Sequence, residues 1–389
     1  MDKIGQILTR GVTNIIPSYD LLEKLLRSGK KLNIYHGIEP TAIHIHLGNA
    51  VPLRKLQAFV ELGHHVTFLI GDFTALIGDT SDKEGERPVL TYEQIKENFK
   101  TYQKQAAKIV DFSKVKVEYN STWLKELAFT DIVKLCQIFS LNDFIARELI
   151  KKRLDKGRSV RLDEVLYPVM QGYDSYHMDT DIQIGGADQT FNMQAGRTLQ
   201  KILRDKESVV LVTGYLEGTD GRKMSKSWGN AIWLDDEPND MFGKIMSVKD
   251  DLIINYHTLA TNGISEEIEK EKNALQKGEN PISVKKRLAS KIVEELHSKN
   301  ASENALSYFE NTFQKGHPQF SLKIPLDGNL AQTITDFTHN KSISDAKRLI
   351  TQGSVDVDGR AIFDPRYKPQ IGQKIKIGKK IFGAVVKSK

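Results

Sequence analysis

The sequence is poor in cysteine and in long apolar runs. Cys136 is the single cysteine of 389 residues, which excludes an internal disulfide and a cysteine-based zinc site. No run of 18 uncharged apolar residues occurs, and the N-terminal MDKIGQILTRGVTN lacks the apolar stretch of a secretory signal. We therefore expect a protein of the reducing cytoplasm with no membrane contact, and a buried, structural Cys136 within the apolar pattern DIVKLCQIF.

The composition is otherwise that of a globular protein, with 39% hydrophobic and 27% charged residues. The length suits two or three domains. The net charge of +6 is unevenly placed: residues 341–389 hold 12 basic and 4 acidic side chains, which leaves the rest of the chain near −2. This asymmetry favours a C-terminal module for a polyanion, with a merely solvated lysine-rich surface as the alternative.

The first 235 residues alternate strand-like and helix-like segments. Buried strands are predicted at 32–37, 65–72, 181–186 and 208–214, and a helix in NAVPLRKLQAFVELG with Asn49 as its cap and Gly63 at its end. The alternation predicts an α/β fold with a Rossmann-like, doubly wound parallel sheet over 1–235. Ligands of such folds bind beyond the carboxyl ends of the strands.

Two further domains are predicted. Val284, Leu288, Ile292 and Leu296 recur at four-residue steps, which indicates a helical domain over 236–325 that ends in linker-like KGHPQF and IPLDGN. A small basic α+β module follows over 330–389. It combines a helix in SISDAKRLITQG capped by Ser344, a hairpin around Asp358-Gly359, and a strand in QKIKIGKKIF with lysines on one face.

Two loops carry the chemistry. YHGIEPTAIHIHLGN (35–49) joins a strand to a helix start, where backbone N–H groups favour a phosphate, and contains His46, Gly48 and Asn49. Imidazole and amide groups can donate to phosphate oxygens, and glycine lets a flat base approach the backbone. GTDGRKMSKSWGN (218–230) sets Lys223 and Lys226 on a glycine-rich loop that can close over a polyphosphate.

Together these loops resemble the paired signatures of class I aminoacyl-tRNA synthetases, about 180 residues apart. Intervening segments are similar to the bacterial-type tyrosyl-tRNA synthetases, and the likeness covers essentially the whole chain. The segments are Tyr35-His-Gly-Ile-Glu-Pro-Thr41, Leu76-Ile-Gly-Asp79, Tyr167-Pro-Val-Met-Gln171-Gly-Tyr-Asp174 and Ile184-Gly-Gly-Ala-Asp188-Gln189.

The resemblance implies that tyrosine attacks the α-phosphate of ATP, which enters with Mg²⁺, and that the tyrosyl group then passes to the 3′ end of tRNA(Tyr). No tightly bound cofactor and no protein metal site are implied. By position, Thr41 and His46 bind the γ-phosphate in the transition state. The departing pyrophosphate is held by Lys83, Arg87, Lys223 and Lys226.

The resemblance also assigns the substrate contacts. Tyr35 and Asp174 would bond the phenolic OH, and Asp79, Tyr167 and Gln171 the ammonium group, with Gln189 alongside. The remaining positions implied to contact ATP are Glu39, Gly48, Asn49, Gly186, Asp188, Met224, Ser225 and Ser227. Taken singly, Tyr167 could be a core aromatic, Asp174 a helix cap and Asp79 a turn residue.

The sequence departs from the family pattern at four positions. Asn49 replaces a histidine. Its amide can still donate a hydrogen bond, but it cannot carry the positive charge of a protonated histidine. Glu39 replaces aspartate, Thr80 a frequent proline, and Asp82 a frequent glycine in the loop that bears Lys83. None of these changes removes a catalytic group.

Partners and alternatives complete the prediction. The resemblance implies a homodimer whose helical domain meets the anticodon arm and whose basic module meets other parts of tRNA, including a long variable arm. A tryptophanyl enzyme, suggested by His-Leu-Gly-Asn, fits the polar pair Tyr35 and Asp174 less well. A small-molecule nucleotidyltransferase leaves the lysine loop unexplained. A noncatalytic RNA-binding protein leaves Lys223, Lys226 and His46 without a role.

Overall fold

The computed structural model describes residues 2–40, 43–78, 91–225, 228–316, 320, 322–338, 342–378 and 381–387. The chain divides into two compact units, Met1–Ser302 and Glu303–Lys389. Each is described by itself. The three-part division at 1–235, 236–325 and 330–389 stays a prediction.

The first unit is built on a six-stranded sheet in the order β1-β6-β5-β2-β3-β4. Neighbouring strands from β6 to β4 are parallel, and β1 pairs with β6 in the antiparallel sense at one edge. The doubly wound sheet is therefore confirmed, with β1 and β4 added to the predicted strands. The strands of both units are β1 (Val12–Ile16), β2 (Asn33–Ile38), β3 (His65–Ile70), β4 (Lys116–Tyr119), β5 (Ile182–Gly186), β6 (Val209–Thr213), β7 (Leu322–Pro325), β8 (Val355–Val357), β9 (Arg360–Ala361), β10 (Lys374–Ile377) and β11 (Ile381–Val386).

Helices fill the connections. They are α1 (Lys3–Thr9), α2 (Tyr19–Arg27), α3 (Leu47–Glu61), α4 (Tyr92–Ala106), α5 (Ser121–Leu124), α6 (Phe129–Cys136), α7 (Leu141–Ile145), α8 (Glu148–Asp155), α9 (Leu162–His177), α10 (Thr190–Arg204), α11 (Pro238–Met246), α12 (Ile253–Ala260), α13 (Ser265–Gln276), α14 (Pro281–Leu296), α15 (Lys299–Phe309), α16 (Leu330–Thr338) and α17 (Ile343–Thr351). No helix in the described part of the chain is long and apolar enough to cross a membrane.

The start of α3 corrects one prediction. His46, not Asn49, is the N-cap, because its ring accepts the backbone N–H of Asn49 while the Asn49 side chain accepts the backbone N–H of His46. The reciprocal pair satisfies two donors at the helix end. The helix therefore begins at Leu47, one turn before the predicted start.

The predicted four-residue pattern in α14 is confirmed. Val284, Leu288 and Ile292 are fully buried, and the helix packs against α11 and α12. Cys136, in contrast, is half-buried at the end of α6 rather than fully buried. The prediction failed because only the Leu135 side of this helix faces the core.

The second unit is a five-stranded sheet in the order β7-β11-β10-β8-β9 with α16 and α17. The predicted hairpin is confirmed, with positive φ angles of 48° at Asp358 and 81° at Gly359. Two predictions are wrong. Strand β7, which pairs with β11, includes Ile324 and Pro325 of the predicted linker segment IPLDGN, and α17 is capped by Ser342 instead of Ser344.

Candidate active site

The sheet places the candidate site between β2 and β5. Successive strands lead away from this pair in both directions, which leaves a crevice at the carboxyl ends of the two strands. Glu39 directly follows β2, and Gly186 ends β5. The remaining site residues come from the start of α3, from α9 and from the loop before Asn230.

One end of the site is a buried polar pair across two strands. Tyr35 of β2 and Gln183 of β5 are partners in the parallel register, so their side chains lie side by side on one face. The Tyr35 hydroxyl donates to Gln183 Oε1 at 3.0 Å, and Gln183 Nε2 donates to the Met193 carbonyl at 3.0 Å. The second bond fixes the amide orientation, so its oxygen faces Tyr35.

Asp174 is the charged group at this end. It is 2% exposed, and its carboxylate accepts hydrogen bonds from Trp123 Nε1 at 2.7 Å and from Asn120 Nδ2 at 3.1 Å. Burial raises the pKa of Asp174 to about 7, although the two donors oppose the shift, and nearby Asp72 and Glu39 contribute to it. Burial, together with the negative charge of Asp174, raises the pKa of Tyr35 well above its ordinary value. The two predicted phenol-binding residues lie on either side of one side chain, because Tyr35 packs in the same buried cluster as Trp123, which bonds to Asp174.

Helix α9 presents three predicted residues along one face. Tyr167, Gln171 and Asp174 are spaced by four and three positions, which is one stripe of a helix. The Tyr167 hydroxyl donates to Glu39 Oε1 at 2.6 Å, so a residue predicted to hold the ammonium group contacts one predicted to meet the nucleotide. Gln171 is half-buried between them on the helix.

The other end of the site begins at His46. Its Nδ1 accepts the Asn49 backbone N–H at 3.2 Å, and because an amide can only donate, the ring proton is on Nε2. Burial, followed by the positive charge of Lys223, lowers the pKa of His46 to about 4. The imidazole is therefore a neutral hydrogen-bond donor at pH 7 and lies within electrostatic reach of Lys223.

The first loop is joined through its backbone to the segment that directly follows the lysine loop (218–230). Leu47 N donates to Ile232 O at 2.9 Å, and Leu234 N donates to Ile45 O at 2.8 Å. A Cβ added to Gly48 would lie 3.1 Å from the His46 ring and 3.4 Å from the Leu216 carbonyl. Glycine at this position therefore keeps the helix start open beside the second loop.

The turn after β5 brings Gly186, Asp188 and Gln189 to the same crevice. A Cβ on Gly186 would approach Asp188 Oδ1 to 2.6 Å, so the carboxylate lies directly over that glycine. Gln189 Oε1 accepts from Asn192 Nδ2 at 3.2 Å. Asp188 is exposed.

The structure also describes the lysine loop (218–230) as far as Ser225 and from Trp228 onwards. Lys223 is exposed, Met224 is buried and Ser225 is half-buried. The remaining predicted residues lie outside the described residues: Thr41, Asp79, Lys83, Arg87, Lys226 and Ser227.

Sequence reasoning missed three buried residues that bond to the predicted site residues. Asn120, Trp123 and Gln183 are buried and bonded to predicted side chains. Gln183 had a readable signal, since it is a lone amide within the apolar strand DIQIGG. Asn120 and Trp123 had none, because only β4 and α5 bring them to α9.

The comparisons with known proteins agree with this geometry. Residues 27–314 match the family described as tRNA synthetases class I (W and Y). The chain belongs to this family. Among its relatives are proteins named tyrosine–tRNA ligase from Photobacterium profundum, 42% identical over 383 residues and 97% of both chains, and from Dehalococcoides mccartyi, 41% identical over 392 residues and 99% of both chains.

Solved structures share the fold. A C-terminally truncated mitochondrial tyrosyl-tRNA synthetase of Aspergillus nidulans matches with a TM-score of 0.66 and 21% identity, covering 80% of this chain and 94% of that one. A tyrosyl-tRNA synthetase of Archaeoglobus fulgidus complexed with L-tyrosine matches with a TM-score of 0.61 and 23% identity, covering 78% of this chain and 98% of that one.

Proposed function

We propose that the chain is a tyrosine–tRNA ligase that forms tyrosyl-adenylate and pyrophosphate from tyrosine and Mg²⁺-ATP and then charges the 3′ end of tRNA(Tyr). The buried polar residues Tyr35 and Asp174, which both lie beside Trp123, carry the choice of tyrosine. A buried polar pair discriminates against a substrate that lacks the matching hydroxyl, an effect for which tyrosyl-tRNA synthetases themselves are a standard example.

The first step requires stabilisation of the negative charge that develops on the departing pyrophosphate. The tyrosine carboxylate attacks the α-phosphate, the bond to the β-phosphate oxygen breaks, and negative charge moves onto the departing pyrophosphate. His46 would donate from Nε2 to the γ-phosphate with Thr41, while Lys223, Lys226, Lys83 and Arg87 would hold the pyrophosphate. Donors that act on developing charge are worth about 2–4 kcal/mol each in the barrier.

The proposal also assigns residues to the ammonium group of tyrosine and to the nucleoside of ATP. Tyr167, Gln171 and Asp79 would hold the ammonium group with Gln189 beside it, and Asp188 with Gly186 the ribose. Gly48 would support the adenine. The proposed ATP contacts also include Glu39, Asn49, Met224, Ser225 and Ser227. The bond from Tyr167 to Glu39 supports this arrangement, because it joins a residue proposed to hold the ammonium group to one proposed to contact ATP.

The second unit would bind tRNA. Lys374 is exposed on β10, whereas Ile375 and Ile377 of the same strand are buried, so a basic face lies opposite the core. The helical residues 236–325 would meet the anticodon arm, and residues 330–389 the variable arm. Lys374→Glu should weaken tRNA charging and spare tyrosine activation.

A homodimer in the cytoplasm is part of the proposal. Phe129, Leu141 and Leu162 are 79%, 62% and 72% exposed, an apolar set on α6, α7 and α9 that a second copy would cover. Sedimentation of the wild type and of Phe129→Lys measures this directly. The proposal expects a dimer that the substitution weakens, and a monomeric wild type contradicts it. The lone Cys136 suits a reducing compartment.

The decisive experiment is ATP–pyrophosphate exchange with each of the twenty amino acids, with Mg²⁺ and without tRNA. Exchange with tyrosine alone is expected. Exchange with tryptophan would keep the family and reject the proposed role of Tyr35 and Asp174. No exchange from folded protein would reject independent activation of the amino acid.

A further inference from the structure

The buried Asn230 side chain forms hydrogen bonds with residues that precede it in the lysine loop (218–230). It is 2% exposed, although it lies on a surface loop. Its Nδ2 donates to Asp220 Oδ1 at 2.7 Å and to the Lys223 carbonyl at 3.0 Å, and its Oδ1 accepts the Ser225 backbone N–H at 2.9 Å. Both amide hydrogens and the amide oxygen are therefore used.

The backbone of the loop is shaped around this side chain. The Asn230 carbonyl accepts Thr219 N at 3.0 Å, and Gly218 N donates to Arg222 O at 2.6 Å. A Cβ on Gly218 would collide with the Asn230 amide, so glycine is required there. The residues from Glu217 to Lys223 thus form a narrow hairpin with Asn230 against its inner side.

Asp220, the partner of Asn230, makes further hydrogen bonds within the hairpin. Its Oδ1 also accepts the Arg222 backbone N–H at 3.0 Å, and its Oδ2 accepts Arg222 Nη2 at 2.6 Å. The Arg222 guanidinium stacks on the Trp228 ring at 4.6 Å. The partner of Asn230 is therefore fixed in the hairpin before any substrate binds.

These bonds hold the backbone on both sides of Met224, next to Lys223. Asn230 binds the chain at Lys223 and at Ser225, on either side of buried Met224. The backbone that carries Lys223 is consequently fixed by one amide, while the Lys223 side chain is exposed. We propose that Asn230 is a positioning residue that fixes the backbone bearing Lys223, so that this lysine can take up the charge that moves onto pyrophosphate. The inference rests on the proposed function.

An amide is the group that this position requires. In Asn230→Asp the new carboxylate could accept from Ser225 N, but it would face Asp220 and the Lys223 carbonyl with no hydrogen to donate. Alanine would leave the carbonyl of Lys223 and the N–H of Ser225 without these partners. Both changes should loosen the segment that bears Lys223, and neither touches the tyrosine end.

The test compares Asn230→Asp and Asn230→Ala with the wild type in tyrosine-dependent ATP–pyrophosphate exchange without tRNA. The matched control is Asn280→Asp, which makes the same change at the exposed N-cap of α14, where aspartate caps as well as asparagine. Both Asn230 variants should lose kcat by about 30-fold or more while the tyrosine Kd stays within about twofold. The control should keep its kcat.

A rescue separates positioning from general loosening. Asp220→Asn in the Asn230→Asp background restores an amide and a carboxylate that face each other, so about fivefold of the lost kcat should return. Thermal melting of every variant provides the check on folding.

The outcomes are distinguishable. An Asn230→Asp kcat within about twofold of wild type, or losses of kcat that follow losses of tyrosine affinity and melting temperature, would overturn the positioning role. A folded wild type that binds tyrosine but shows no exchange would overturn the proposed function itself.

Discussion

The two ends of the candidate site are built in different ways. At the phenol end, side chains bond to side chains inside the core: Tyr35 to Gln183, and Asp174 to Asn120 and Trp123. At the phosphate end, the bonds run mostly to backbone: His46 to Asn49, and Asn230 to Lys223 and Ser225.

The difference follows from the chemistry at each end. A neutral phenol is recognised by buried polar groups, and these must be rigid, because a misplaced buried donor costs free energy. Pyrophosphate is a large anion whose charge changes during the reaction, so loops that present N–H groups and lysines suit it. This comparison predicts that substrate specificity and catalysis can be altered separately in this site. The following predictions test that separation.

The largest effect is expected at the phenol end. Asp174→Ala leaves Asn120, Trp123 and the substrate hydroxyl without their partner, at about 3–5 kcal/mol for a buried charged group. The kcat/KM for tyrosine should fall by about 1000-fold and the KM for ATP should change little. Steady-state exchange measures both values, and a comparable loss for ATP would show that the two ends are not separate.

The converse prediction concerns the phosphate end. Lys223→Ala should slow adenylate formation by about 100-fold, because an ammonium group that stabilises departing charge is removed, and should leave tyrosine binding unchanged. Single-turnover kinetics and equilibrium tyrosine binding check this. The control is Lys347→Ala, an exposed lysine of the second unit. Equal losses in both quantities would indicate a structural role for Lys223.

A smaller effect should follow from Gln183→Met. The change removes the acceptor of the Tyr35 hydroxyl and the donor to the Met193 carbonyl at similar volume, at about 1–2 kcal/mol. We expect about a tenfold loss in the ratio of kcat/KM for tyrosine over phenylalanine, with unchanged exchange kinetics in ATP. An unaltered ratio would remove Gln183 from the specificity network.

The smallest effect is a pH dependence confined to the phenol end. Because burial raises the pKa of Asp174 to about 7, acidification protonates this carboxylate, and the tyrosine Kd should rise by about fourfold between pH 8 and 6.5. His46, with its pKa lowered to about 4, does not titrate there. Titration calorimetry at several pH values measures the effect, which Asp174→Asn should abolish.

Protonation has the opposite sign for stability. The folded-state pKa of Asp174 lies above its ordinary value, so its contribution to the free energy of unfolding is present at low pH and lost as the pH rises through about 7. Weaker tyrosine binding at pH 6.5 therefore cannot come from loss of the fold at this residue. A fall in melting temperature from pH 8 to 6.5 that Asp174→Asn removes would contradict this sign.

Particular residues show which features of the fold and of the site can be predicted from the sequence. The alternation of strands and helices in the first 235 residues was sufficient to predict the parallel sheet, and the two loops were sufficient to predict the family. The roles of the site residues stay a prediction. The predicted N-cap of α3 and the predicted linker at β7 were wrong. An N-cap histidine and a strand that contains a proline both carry weak local sequence signals.

By itself, the sequence determined the class of fold, the basic C-terminal module and the residue types that chemistry on phosphates requires, since these depend on local pattern and charge. Only the tertiary structure decided that Gln183 stands beside Tyr35, that Asn120 and Trp123 hold Asp174, and that Asn230 holds Lys223. These contacts join residues brought together by strand register, helix packing and loop closure. Their partners depend on the folded backbone, which no local pattern encodes.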